Sequence, residues 1–191
     1  MSITYATLDP NTIGSGLTLS NGNLTVTGAG SAWGTAISTV SKSAGKWYWE
    51  FRITTAITNN MAGILGSTYG APLLNSYTGI SSIGYAYSSN PFKWNNGLNT
   101  SYGSSITTND VIGVALDMDS GIITLYKNGV SMGTMFSGLS GTFFAAFSPG
   151  DTGSVSYTVN FGATAFAQTV PSGFNPGLYT ETGTSQFFQL F

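Results

Sequence analysis

The stretch "NDVIGVALDMDSGIITLYKNGVSMGTMF", Asn109 to Phe136, decides the fold. Its "VIGVALD" segment is apolar at odd and even positions alike, as a central strand packed on both faces requires. "DSG" then turns the chain and "IITLY" returns. "KNG" supplies a second turn, in which Asn128–Gly129 favour the positive φ angles of a type I′ hairpin, and "VSMGTMF" runs back. The pattern is a three-stranded meander.

Working outward, "KWYWEFRI" (46–53) alternates strictly. Trp47, Trp49, Phe51 and Ile53 share one face, while Tyr48, Glu50 and Arg52 share the other, which predicts an ion pair beside a tyrosine. "LTLSNGNLTVTG" holds two alternating runs, Leu17–Leu19 and Leu24–Val26, around an Asn21–Gly22 hairpin turn. "FFAAFS" and "VSYTVNFG" add two more strands downstream. Residues 67–105 differ: Gly, Asn and Ser alternate with rings, and the reading is short strands near Ile80–Tyr87 joined by long ring-rich loops. Pro171 to Gly177 reads as an irregular connection. The final "TSQFFQLF" is too apolar to hang in solvent. No segment of ten residues shows a Gly-free helical period, so the expectation is an all-β, single-domain chain over 1–191 with little helix.

Composition narrows the function classes. Only 6% of the 191 residues are charged, against roughly 25% in an ordinary soluble protein, yet 41% are hydrophobic and 14% aromatic. The chain therefore has enough apolar surface to fold, and its exterior must be built from hydroxyls and amides. A net charge of −2 gives little colloidal repulsion, which points to a partner or to self-association. Five scattered basic residues do not make a nucleic-acid footprint. No apolar run approaches the roughly 18 residues that span a bilayer, and the N-terminus lacks the basic and apolar regions of a signal peptide. The expectation is a chain made in a cytoplasm, with no membrane insertion and no nucleic-acid partner.

Four ordered segments carry a family resemblance: "GKWYWEFRI", the meander, "FAAFSPG" and "VNFGATAF". Together, over roughly residues 33–166, they resemble the SPRY (B30.2-type) domain. The N-terminal "LDPNTIGSGLTLSNGNLTVTG" more loosely resembles the segment preceding such domains in tailed-phage and other viral structural proteins. The resemblance implies a bent sandwich of two antiparallel sheets, similar to concanavalin-A-like lectins. It implies a non-catalytic module that binds proteins, often short peptides, through loops at one end. For viral members it implies capsid or tail decoration, or host attachment. Location in a virion, with other virion proteins or further copies of itself as partners, follows from that analogy. A cellular SPRY adaptor is the remaining context.

Candidate chemistry is sparse. His and Cys are absent, which removes Ser-His-Asp and Cys-His machinery and the usual zinc ligands. Glu50 has no second acid nearby for glycoside hydrolysis, and a charge pair with Arg52 or a cross-strand neighbour accounts for it better. Asp117 and Asp119 have D-x-D spacing, but Gly121 and Ile122 stand where a calcium loop needs an oxygen ligand and a glycine, so a turn held by Asp119 explains them. No catalytic residue, metal site or cofactor is expected. The loop rings remain: Tyr69, Tyr77, Tyr87, Phe92, Trp94 and Tyr102, with Asn95 and Asn96 for hydrogen bonds. They are either a ligand surface for protein or glycan, or a second small core beneath the loops. Trp94, in "FKWNNG", is the strongest candidate for an exposed contact, and Trp33 is expected to cover the sandwich edge. Phe187, Phe188, Leu190 and Phe191 are candidate assembly contacts, the alternative being a last strand of the same sheet.

Overall fold

The structure, a computed structural model, describes residues 1–55, 60–150 and 154–183. In chain order the strands are β1 Ser2–Tyr5, β2 Leu8–Ile13, β3 Leu17–Ser20, β4 Thr25–Gly28, β5 Ala36–Lys42, β6 Lys46–Ile53, β7 Met61–Gly66, β8 Gly84–Ser88, β9 Phe92–Asn95, β10 Leu98–Ser101, β11 Ile112–Asp117, β12 Ile122–Lys127, β13 Val130–Ser137, β14 Phe143–Ser148, β15 Ser156–Asn160, β16 Asn175–Pro176 and β17 Tyr179–Thr182. A single turn of helix, α1 Ala71–Leu74, lies between β7 and β8. One sheet has the order β10-β9-β8-β7-β14-β5-β2, and the other β13-β12-β11-β6-β15-β4-β3, with β16 added alongside β6. Strands β1 and β17 form a separate ribbon that brings residues 2 and 182 opposite each other.

The meander forms as the sequence predicts. β11 is buried along almost its whole length, and Asn128 (φ 49°) and Gly129 (φ 82°) make the turn between β12 and β13. Strand β13 is a sheet edge, and its pairing with β12 shifts register twice between Ile123 and Tyr126. Such bulges twist an edge away from further pairing.

The core fills the space between the sheets. Trp49, Phe51 and Ile53 from β6 meet Ala62 and Ile64 from β7 and Phe143, Ala145 and Phe147 from β14. Across the sandwich, Phe51 packs edge-on against Phe147 at 5.6 Å between centroids, and Tyr157 stands 5.7 Å from Phe51. Burial disfavours the phenolate of Tyr157, and its hydroxyl donates to Asn60 Oδ1 at 2.9 Å.

The outer face of β6 departs from the sequence reading. Alternation puts Tyr48, Glu50 and Arg52 on that face, and a solvated ion pair is the natural expectation. Instead residues 161–177 leave β15, cross this face and return through β16, which pairs in parallel with Trp47 and Tyr48. This strap buries Tyr48 and Glu50 to 1% and 4% exposure. Phe166 stands edge-on to Tyr48 at 5.1 Å. Glu50 accepts from the backbone N–H groups of Ala167 and Gln168, both at 2.8 Å, and from the Tyr48 hydroxyl at 3.1 Å. Arg52 is exposed and makes no salt bridge among the described residues. Two fixed amides hold a buried carboxylate without the entropy cost of ordering a long Arg side chain. Gly113, directly opposite Glu50 on β11, leaves the space into which the Tyr48 ring lies; a methyl group there would overlap the Tyr48 hydroxyl.

Candidate functional site

The β7–β8–β9 meander determines where the ring-rich segment opens. Met61 pairs with Ser88, and Ser88 with Phe92, so the start of β7, the end of β8 and the start of β9 meet at one end of the sandwich. A cleft of about 320 Å³ opens there, with Trp33, Tyr77, Phe92 and Trp94 as its rings. Asn60, Met61, Ser88, Ser89, Asn90 and Asn99 complete the lining, so no charged side chain among the described residues faces it. A volume of this size suits one side chain or a small-molecule fragment rather than an extended ligand.

Three of these rings form a continuous row. Trp33 and Tyr77 are 5.2 Å apart and Tyr77 and Trp94 are 5.9 Å apart, the second pair edge-to-face. Tyr77 is held from below by buried hydroxyls. Ser148 Oγ lies 2.8 Å from both Thr35 Oγ1 and Thr78 Oγ1 and accepts from the Thr78 N–H at 2.9 Å. Thr35 Oγ1 donates to the Ser76 carbonyl at 2.8 Å, fixing the residue before Tyr77. Trp94 is set by its indole N–H, 3.3 Å from Ser88 Oγ, and by Gly79, where φ is 103° and a Cβ would come within 2.8 Å of the Trp94 Cβ. Asn60 is held at both ends of its amide: it donates to Ser89 Oγ at 3.0 Å while accepting from Tyr157 at 2.9 Å. The walls are therefore preorganised, which lowers the entropy cost of binding.

Of the rings singled out from the sequence, the cleft gathers Tyr77, Phe92 and Trp94. Tyr87 and Tyr102 do not belong to a ligand surface. They are 1% and 8% exposed and pack edge-to-face at 5.6 Å inside the main core. The Tyr87 hydroxyl donates to the Ser104 carbonyl, and that of Tyr102 to the Gly133 carbonyl at 2.7 Å. Burial pushes the Tyr102 phenol up to about 12, opposed by the Leu125 N–H that it accepts. Tyr69 is half-buried in a second, smaller cluster with Leu73, Leu74 and Phe144, the small core that the sequence allowed as the alternative. Asn95 spends its amide on the carbonyls of Gly84 and Ser82, at 2.9 and 3.2 Å. Asn96 forms the β9–β10 turn with Gly97, at φ 54° and 72°. Neither lines the cleft. The assembly candidates Phe187, Phe188, Leu190 and Phe191 lie outside the described residues.

Trp33, Asn60, Asn90 and Asn99 were not identified as site residues from the sequence. Asn90 and Asn99 lie within the β7–β10 region and Asn60 immediately precedes it, where exact strand ends are needed to place them. Trp33 reaches the cleft from the segment before β5, a long-range approach that no local pattern encodes.

The three carboxylate candidates, Glu50, Asp117 and Asp119, have structural roles. Glu50 is held by the strap amides and Tyr48, and the groove beside it contains no second acid among the described residues. Asp117 Oδ1 accepts from the Asp119 and Ser120 N–H groups, and Oδ2 pairs with Lys46 at 2.9 Å. Burial opposes its ionisation, but Lys46 and the Ser120 N–H outweigh it and hold the carboxyl below its ordinary range. Asp119 reaches across to the Gly45 N–H at 2.7 Å. The local turn is thus held by Asp117, not by Asp119 as the spacing suggested. No group of three or more metal-ligating side chains occurs among the described residues.

A bent antiparallel sandwich with a strapped outer face and a ring-lined cleft at one end defines the class as an all-β recognition domain. The chain belongs to the SPRY domain family, whose model matches residues 46–164. It is similar in fold to the SPRY domain of human HERC1 (TM-score 0.70, 18% identity, covering 80% of this chain and 96% of that one). It is also similar to the PSpry domain of TRIM65 (TM-score 0.65, 19% identity, 82% and 92%). Stonustoxin matches with TM-score 0.64 and 21% identity over 82% of this chain, which corresponds to 27% of the toxin chain. SPRY domains are generally protein-binding modules rather than catalysts.

Proposed function

We propose that this chain is a non-catalytic binding module of a virus particle, decorating the capsid or tail through protein–protein contacts made at the Trp33–Tyr77–Trp94 cleft. The observation that carries the recognition reading is the preorganised, uncharged row of rings, which suits a neutral side chain presented by a partner protein. The particle context is supported by a 6% charge content and a surface of hydroxyls and amides, which suit permanent packing against neighbours. The resemblance of residues 8–28 to segments of tailed-phage structural proteins supports it too. Other particle proteins, or further copies of this chain, are the partners.

A receptor-binding adhesin is the second reading. The observation favouring it is that rings and amides share one cleft, the combination that stacks and hydrogen-bonds a sugar as readily as a peptide. Mass spectrometry of purified particles tests the location: the chain should be present at stoichiometric copy number, and its absence overturns the particle reading. Binding of labelled protein to intact host cells separates the two roles. Saturable cell binding supports the adhesin, and none leaves decoration.

A further inference from the structure

A second concavity, of about 500 Å³, lies on the outer face of the β6 sheet, beside the strap. Its floor is set by register: Arg52 on β6 faces Thr158 on β15, and Thr158 faces Thr25 on β4. Asn21, at the β3–β4 turn, and Asn109, whose N–H donates to the Ile53 carbonyl at 3.0 Å, stand at its rim. Thr164, Ala165 and Ala167 of the strap form the remaining wall.

Arg52 is the only arginine of the chain. Its guanidinium makes no salt bridge and donates no hydrogen bond among the described residues, whereas Lys42, Lys46, Lys93 and Lys127 each have an oxygen partner. The acid placed to neutralise it, Glu50, sits two residues along the same strand. Both oxygens of Glu50 are occupied by the strap amides and one also by Tyr48. The strap therefore engages the carboxylate, which itself lines the groove, and leaves a planar five-donor fork uncommitted among the described residues.

We propose that this groove binds a carboxylate, the Asp or Glu side chain of an acidic segment of a partner protein, with Arg52 as the anchor. Guanidinium and carboxylate match in two parallel hydrogen bonds, and the rim amides of Asn21 and Asn109 supply further donors. A protein source is favoured over an acidic sugar because, among the described residues, no exposed ring lines the groove for stacking; Phe51, the one aromatic among them, points into the core. This site is separate from the ring cleft, and either can fail alone.

The test is two-dimensional NMR of the full chain titrated with Ac-Gly-Glu-Gly-Glu-Gly-NH2, its Gln counterpart and 3′-sialyllactose. The Glu peptide should shift the Arg52 Nε–H and the side-chain amides of Asn21 and Asn109. Arg52→Gln should weaken that binding about tenfold or more, and Arg52→Lys by less, with unchanged melting curves. Equal shifts from the Gln peptide, no shifts at the groove, or binding unaffected by Arg52→Gln overturn the carboxylate site. Sialyllactose binding more tightly than the Glu peptide overturns the protein source.

Discussion

Glu50 gives a direct quantitative test of how the strap is held. In Glu50→Ala the N–H groups of Ala167 and Gln168 and the Tyr48 hydroxyl all lose their acceptor. Each buried donor left unsatisfied costs about 1–3 kcal/mol. Water admitted by the truncated side chain recovers part of that, so a loss of roughly 2–5 kcal/mol follows. Glu50→Gln keeps the shape but turns an NH2 group toward one of the two amides, which forfeits one bond and opposes two donors, for about 2 kcal/mol. Urea denaturation reads the stability, and amide exchange reads the location: protection should fall first over residues 161–177. Arg52→Ala is the control and should change stability by less than about 0.5 kcal/mol. If Arg52→Ala and Glu50→Ala cost the same, the two residues act as an ion pair and the account of the strap is wrong. A loss below about 0.5 kcal/mol for Glu50→Ala would refute it equally.

Gly113→Ala inserts a methyl group where the Tyr48 ring lies, and displacing a packed ring should cost roughly 1–3 kcal/mol; an unchanged thermal midpoint would show that the ring has room to move. Asp110 supplies a pH dependence. Burial opposes its ionisation, but the Thr107 N–H and hydroxyl, the Asn128 amide and Lys127 outweigh burial and depress its pKa. A depressed folded-state pKa means that the stabilisation is complete above the unfolded value, about 4, and is lost as pH falls through the folded one. Stability measured by urea should therefore decline below about pH 4 in the wild type. Asp110→Asn should flatten that decline, and an identical slope in the variant would contradict the assignment.

The parts of this structure written in local pattern were legible. Period-two alternation and Asn–Gly turns place β3–β4 and the β11–β13 meander, because side-chain direction and positive φ are properties of a few adjacent residues. The fate of Glu50 was not legible, since its partners lie 117 and 118 residues away on an irregular strap and are backbone amides, which leave no trace in side-chain chemistry. The rings divided for a related reason. Tyr87 and Trp94 look alike as aromatics in a Gly/Ser/Asn-rich segment, yet Tyr87 sits in the interior of β8 facing the other sheet, while Trp94 lies on the short β9 near an edge, half-covered. Placing them needed the register of β7, β8 and β9, which depends on strand ends that sequence pattern defines least well.

The central claim is that the Trp33–Tyr77–Trp94 cleft is the recognition surface. Its most direct test is a saturation-binding curve of the labelled chain on particles stripped of it, with Trp94→Ala and Trp33→Ala alongside and their folding checked by melting curves. The wild type should bind saturably, and either variant should weaken that binding by an interface-anchor amount, roughly 1–4 kcal/mol. Wild-type affinity retained by both folded variants would contradict the claim.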